Sequence, residues 1–230
     1  MKSRVTVKFD EEKDLKNIWD ACNSKSSYGY SWKKSISKNI LNICEKKEYK
    51  ECKEELADTM KMVHNSPLIK LTTKTLTDGW SKISTEYFRR LEKITKRRFI
   101  IKKIDAYLTT AGRCPYSPNK NPPYFYINFF SNIPNALHTM GHELMHIHLH
   151  NTDWWKKVEG EIGDSKTHDL KEAFTELLNL EFTDLWIVRE TSYPNHKMLR
   201  EYISKQWKKK KDFDKLTNSC IKWIKKNGVK

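Results

Sequence analysis

A histidine stands at every fourth position between residues 138 and 150: His138, His142, His146 and His150. At about 100° per residue, side chains four apart lie one helical turn above another on the same face. Leu137, Met140, Leu144 and Ile147 fall on the opposite side of that wheel. The segment therefore reads as a helix with one face to bury and another rich in metal-ligand atoms. His148 points away from that face. Incidental histidines on a surface helix would not segregate so cleanly from the apolar residues.

Only the middle pair carries an acid directly after its first histidine, in His142-Glu143-Leu144-Met145-His146. Two histidines at this spacing can hold one metal ion, and the intervening glutamate can act as a general base toward water. This is the HExxH arrangement, and it points to a zinc-dependent hydrolase. A catalytic zinc usually takes three protein ligands and keeps one open position. Leu149 and Thr152 stand where a metzincin would have glycine and histidine, so the third ligand should come from further downstream. Glu172 is the first candidate, with His168, Asp169 and His150 as alternatives. Ala173, Phe174, Leu177, Leu178 and Phe182 form an apolar helical stripe, and Glu172, Glu176 and Asn179 share another face. Glu176 can then support a ligating histidine from the outer side.

On these residues the chain resembles the gluzincins, zinc peptidases with HExxH on one helix and a ligating glutamate on the next. The small soluble minigluzincins are the most similar in plan, and the resemblance covers roughly residues 76 to 190. It implies Zn2+ held by His142, His146 and Glu172, with Glu143 as catalytic base and a protein or peptide as substrate. It also implies a further donor to the oxyanion, for which Tyr193 and His196 are the candidates. Lys171 stands where such enzymes often have asparagine before the ligand, and Glu176 where aspartate is frequent. The Glu-Ala and Phe-x-Glu-Leu-Leu pattern is similar also to intracellular regulatory metallopeptidases.

The order of elements fits an α+β class: a zincin-like metallopeptidase core with a small twisted sheet, an active-site helix and a glutamate helix, plus helical N- and C-terminal additions. Leu76 to Arg98 has helical apolar spacing with Thr77 or Asp78 as cap. Phe99 to Thr110 reads as a strand, 112–123 as a loop, and Tyr124 to Phe130 as a second strand. By analogy with zincins, that second strand would edge the cleft and pair with substrate backbone. The active-site helix is expected over about 134 to 151, and the glutamate helix over about 168 to 189. Residues 1–75 form a mostly helical N-terminal region: a strand at Arg4 to Phe9, a helix near Asp10 to Ala21, a Ser/Tyr/Gly loop from Asn23 to Ser31, then one or two lysine-rich helices. Residues 76–190 form the core, and 191–230 a basic helical region.

Eight tryptophans in 230 residues argue for a folded chain, and five cysteines without a CxxC pair argue against a zinc finger or disulfide framework. No apolar run is long enough to cross a bilayer, and no signal peptide is evident, so a cytoplasmic protein is expected. The net charge of +15 favours acidic partners. It is densest from Lys205 to Lys226, where Ile203, Trp207, Phe213, Leu216, Cys220, Trp223 and Ile224 suggest a docked helical face with a basic rim. The competing function is a basic nucleic-acid-binding protein, contacting DNA or RNA through this region, whose metal site is structural or vestigial.

Overall fold

The computed structural model describes residues 4–24, 31–191 and 193–228. Most of the expected loop between Asn23 and Ser31 lies outside these residues. The class is α+β: a four-stranded mixed sheet is surrounded by helices.

Strand β1 (Arg4–Phe9) buries Val5 and Val7 on alternate positions and pairs in parallel with β2 (Lys103–Thr109). Strand β4 (Tyr124–Asn128) runs parallel to β2 on its other side. The two-residue strand β3 (Tyr116–Ser117) then pairs antiparallel with β4, giving the order β1-β2-β4-β3. The edge position expected of Tyr124 to Phe130 is therefore lost at Tyr124 and Phe125, where β3 pairs outside β4. Tyr116 and Ser117 cover Phe125 and Tyr124, and the outer edge belongs to β3. Two paired residues inside a Pro/Asn-rich stretch are too few to show alternation in sequence.

Helix α1 (Glu11–Asn23) starts at Asp10, whose side chain accepts from the Lys13 N–H. It packs with α2 (Lys38–Cys44) and α3 (Tyr49–His64) around Leu15, Ile18, Ile43, Leu56 and the buried Cys22, Cys44 and Cys52. Helix α4 (Pro67–Thr95) is one continuous rod, so it begins nine residues before the expected Leu76 start. Ser66 caps it and Pro67 occupies the first turn, where a missing N–H costs nothing. The division expected at residue 75 accordingly falls inside a helix, and β1 belongs to the same sheet as β2 and β4.

Helix α5 (Ile133–His150) carries the HExxH segment and starts at Asn132, which accepts from the Asn135 N–H. Helix α6 (Asp153–Ile162) follows. The expected single glutamate helix is three pieces: α7 (Asp164–Phe174), α8 (Glu176–Glu181) and α9 (Thr183–Trp186). The break falls at Thr175, whose N–H and hydroxyl both turn back to the Glu172 carbonyl, at 3.2 and 2.7 Å. Helices α10 (Lys197–Lys209) and α11 (Phe213–Asn227) bury Leu199, Ile203, Trp207, Phe213, Leu216 and Ile224 in the main core. The C-terminal region thus shares the central core and is not a separate unit. Among the described residues, no helix is long and apolar enough to cross a membrane.

Candidate metal centre

Helix α5 is enclosed on nearly every face. Leu137, Met140, Leu144 and Ile147 are buried on the side predicted from the wheel, and Met145 and Leu149 are buried as well. Tyr87 of α4 donates its hydroxyl proton to the Gly141 carbonyl at 2.6 Å, and Trp186 of α9 closes over the same turn. This packing fixes the turn that begins the motif. Its histidine-rich face lines a cavity of about 750 Å³ whose walls include Glu143, Tyr116, His150, Trp155, Lys171 and Tyr193.

The Nε2 atoms of His142 and His146 both approach one carboxylate oxygen, Glu172 Oε2, at 3.5 and 3.2 Å. One ligand atom from each of these three residues lies within 4.8 Å of the other two. Zinc–ligand bonds of about 2.0–2.2 Å in a tetrahedron require donor atoms roughly 3.3–3.6 Å apart. The two measured separations fall close to that span, so the donor set fits a small tetrahedral ion. These contacts set one carboxylate oxygen against two imidazole nitrogens. His168 and Asp169 lie on α7 but neither joins this group.

Two of the three candidate ligands, Glu172 and His142, are held from behind, whereas His146 Nδ1 has no hydrogen-bond partner among the described residues. Lys171, although a lysine, is only 2 % exposed; its Nζ lies 2.8 Å from Glu172 Oε1 and 2.8 Å from the Tyr116 hydroxyl. That leaves Glu172 Oε2 as the oxygen facing the histidines. On the far side of His142, Nδ1 lies 3.3 Å from Glu190, a residue the sequence reading passed over. Asn179 places Glu190 by a pair of bonds: its Oδ1 accepts from the Glu190 N–H at 2.9 Å, and its Nδ2 donates to the Glu190 carbonyl at 3.0 Å. Arg200 reaches Glu190 at 3.3 Å. Glu176, expected to support a histidine, instead pairs with Arg200 at 3.0 Å and accepts from Asn179. The carboxylate beside His142 Nδ1 is therefore Glu190 and not Glu176. The short helix α8 turns Glu176 toward α10 because the chain has already broken at Thr175.

The electrostatics follow from burial among charges. Burial pushes the Glu143 carboxyl up to about 8, with Glu172 and Glu190 adding to the rise and His142 and Lys171 opposing it. Its Oε2 has no hydrogen-bond partner among the described residues. Burial works against charge on His142, yet Glu190 and Glu172 outweigh it and raise that imidazole well above its usual value. Burial, reinforced by Lys171, pushes His146 down to about 3. Glu172 and Glu190 are held below the ordinary carboxylate range against their burial, chiefly by His146 and Lys171 for the first and by His142 for the second.

The other candidates divide. His138 lines the cavity and packs edge-on against Trp186. His150 Nε2 shares a hydrogen bond with the Tyr116 hydroxyl at 2.7 Å, and the ring stacks on Trp155 with centroids 3.6 Å apart. His148 faces away, as expected, stacking on Phe99 and bonding to Thr95 at 2.9 Å. Tyr193 lines the cavity, whereas His196 is buried against Asp169 at 2.9 Å, tying the loop before α10 to α7. No known family, curated protein or solved structure matches this chain.

Proposed function

We propose that this chain is a zinc-dependent metallopeptidase with a zincin core of gluzincin type, hydrolysing peptide bonds in a protein or peptide substrate. One observation carries the reading: three convergent donor atoms and an unpartnered buried carboxylate, Glu143, share one cavity. His142, His146 and Glu172 would hold the ion. When bound, zinc supplies Lewis acidity toward a carbonyl oxygen and toward water.

The chain's own residues do the rest. Glu143, one position after a ligand and lining the same cavity, takes the proton of the attacking water and returns it to the leaving amine. Its burial raises its proton affinity, which suits a base that must later act as an acid. Glu190 holds His142 by Nδ1 and thereby presents Nε2 to the ion. Lys171 engages the outer oxygen of Glu172 and leaves the inner one as ligand.

Elemental analysis of protein purified without a metal-affinity tag tests the site. About one zinc per chain is expected in wild type and much less in Glu172→Ala. Cleavage of dye-labelled casein, present in wild type and lost in Glu143→Gln with zinc retained, tests the reaction. Absence of zinc from both proteins after zinc is added back would overturn the reading.

A further inference from the structure

Beyond the ligands and Glu143, one more side chain is built into the cavity by an unusual set of contacts. Tyr116 opens the edge strand β3, and its ring centroid lies 5.3 Å from that of His146. Its hydroxyl is 2.8 Å from the buried Lys171 ammonium, which is in turn 2.8 Å from Glu172 Oε1. The phenol oxygen therefore lies within two hydrogen-bond lengths of the proposed ligand carboxylate.

The direction of the Lys171 contact is fixed by donor inventory. An ammonium has donors only, so at the Lys171 contact the Tyr116 oxygen accepts. Its own proton is left to give, and His150 Nε2 lies 2.7 Å from the same oxygen. A cation donating into a hydroxyl oxygen polarises the O–H bond and makes it a stronger donor. Tyr193 also lines the cavity. His196 is engaged with Asp169 instead.

We infer that Tyr116 is the catalytic donor to the oxyanion of the peptide bond under attack, and that Lys171 is the positioning residue that aims and polarises it. This assignment rests on the metallopeptidase reading. A developing negative oxygen is a strong acceptor, so the Tyr116 hydroxyl gives its hydrogen bond to the substrate oxygen as charge builds. No bond to hydrogen is broken in that step.

Tyr116→Phe tests it, beside Tyr193→Phe and Glu143→Gln in the zinc-loaded full chain. Phenylalanine keeps the ring against His146 and leaves Lys171 on Glu172, so zinc affinity and melting temperature should match wild type. Casein cleavage should fall about 100- to 1,000-fold, the usual loss for one oxyanion donor. Affinity for acetohydroxamate, a small zinc-binding anion, should fall about tenfold, a readout that packing alone would not move. Tyr193→Phe, at the other cavity tyrosine, is the comparison: a larger loss of both there than in Tyr116→Phe would also overturn the assignment. Unchanged cleavage and acetohydroxamate affinity in Tyr116→Phe would overturn the assignment, and so would loss of zinc or of fold, which would mark a structural role. If wild type and Glu143→Gln are equally inert toward casein, the peptidase reading fails. The acetohydroxamate comparison then still decides whether Tyr116 donates into the site.

Discussion

Glu190 sits 3.3 Å from Nδ1 of His142, while Nε2 of the same ring faces Glu172 at 3.5 Å. One imidazole is thus gripped by carboxylates at both nitrogens, one along the ligand direction and one behind it. A partner behind a ligating histidine fixes its tautomer and its orientation, and removing such a partner typically lowers metal affinity 10- to 100-fold. Glu190→Ala should therefore weaken zinc binding by about that factor, read by competition with a fluorescent chelator. Glu176→Ala should stay within a few fold of wild type, since Glu176 meets Arg200 rather than a histidine. Equal losses in the two variants would return Glu176 to the role first expected of it.

Gly141, the residue before His142, has no room for a side chain. A Cβ there would come within 2.7 and 2.8 Å of the Trp186 ring and 3.1 Å of Tyr87. Both rings are rigid and buried, so neither can give way cheaply. Gly141→Ala should cost about 1–3 kcal/mol of stability, the usual range for overpacking a well-filled core. Chemical denaturation would measure this, and a variant as stable as wild type would mean that Trp186 has space to move.

Local chemistry explains which parts of this architecture were legible in sequence. Helix α5 runs from Ile133 to His150, close to the expected 134 to 151, because cap, proline and apolar stripe all agree. The pairing of His142 with His146 follows from helical spacing, whereas Glu172 was one of four candidates until the packing of α7 against α5 brought it, and not His168, Asp169 or His150, to that pair. The start of α4 was equally visible in Ser66-Pro67, yet the apolar stripe drew the boundary to Leu76. The break at Thr175 was not visible, because its hydroxyl partners include Arg200, 25 residues away at 2.7 Å. Glu190 was hidden for a related reason: it lies in a non-periodic loop and is placed by Asn179 through contacts no local pattern encodes.

Asp14 ties the N-terminal helices to the end of strand β2. It is fully buried; its Oδ1 accepts from the Thr109 hydroxyl and the Thr110 N–H, each at 2.7 Å. Its Oδ2 lies 2.7 Å from the Thr110 hydroxyl and 2.9 Å from His64 Nε2. Removing one member of a buried, charged network leaves the others unpaired, at a cost of about 3–5 kcal/mol. Asp14→Ala should lose stability on that scale. Asp14→Asn should lose less, because the amide oxygen can still accept from Thr109 and Thr110. The denaturation midpoints of the two variants would rank them, and an Asp14→Ala midpoint at the wild-type value would remove the network from the fold's main supports.

The same contact makes stability depend on pH in a window of its own. Burial opposes a charge on His64, but the hydrogen bond and charge of Asp14, joined by Glu11, raise its pKa above the ordinary value. In the unfolded chain the imidazole titrates near pH 6.5, roughly. Between that value and the higher folded one, the folded state holds the extra proton, so stability falls as pH rises. Below about pH 6.5 both states are protonated and the full contribution of the pair is present. One proton limits the slope to about 1.4 kcal/mol per pH unit. His148 works in the opposite sense: burial pushes it down to about 3, so its effect is felt only as pH falls below its unfolded value. Urea denaturation at pH 6 and pH 8, wild type against His64→Gln, isolates the His64 term. Wild type should lose more stability than the variant on going to pH 8; an identical loss in both would mean that the Asp14 contact does not hold a proton on His64.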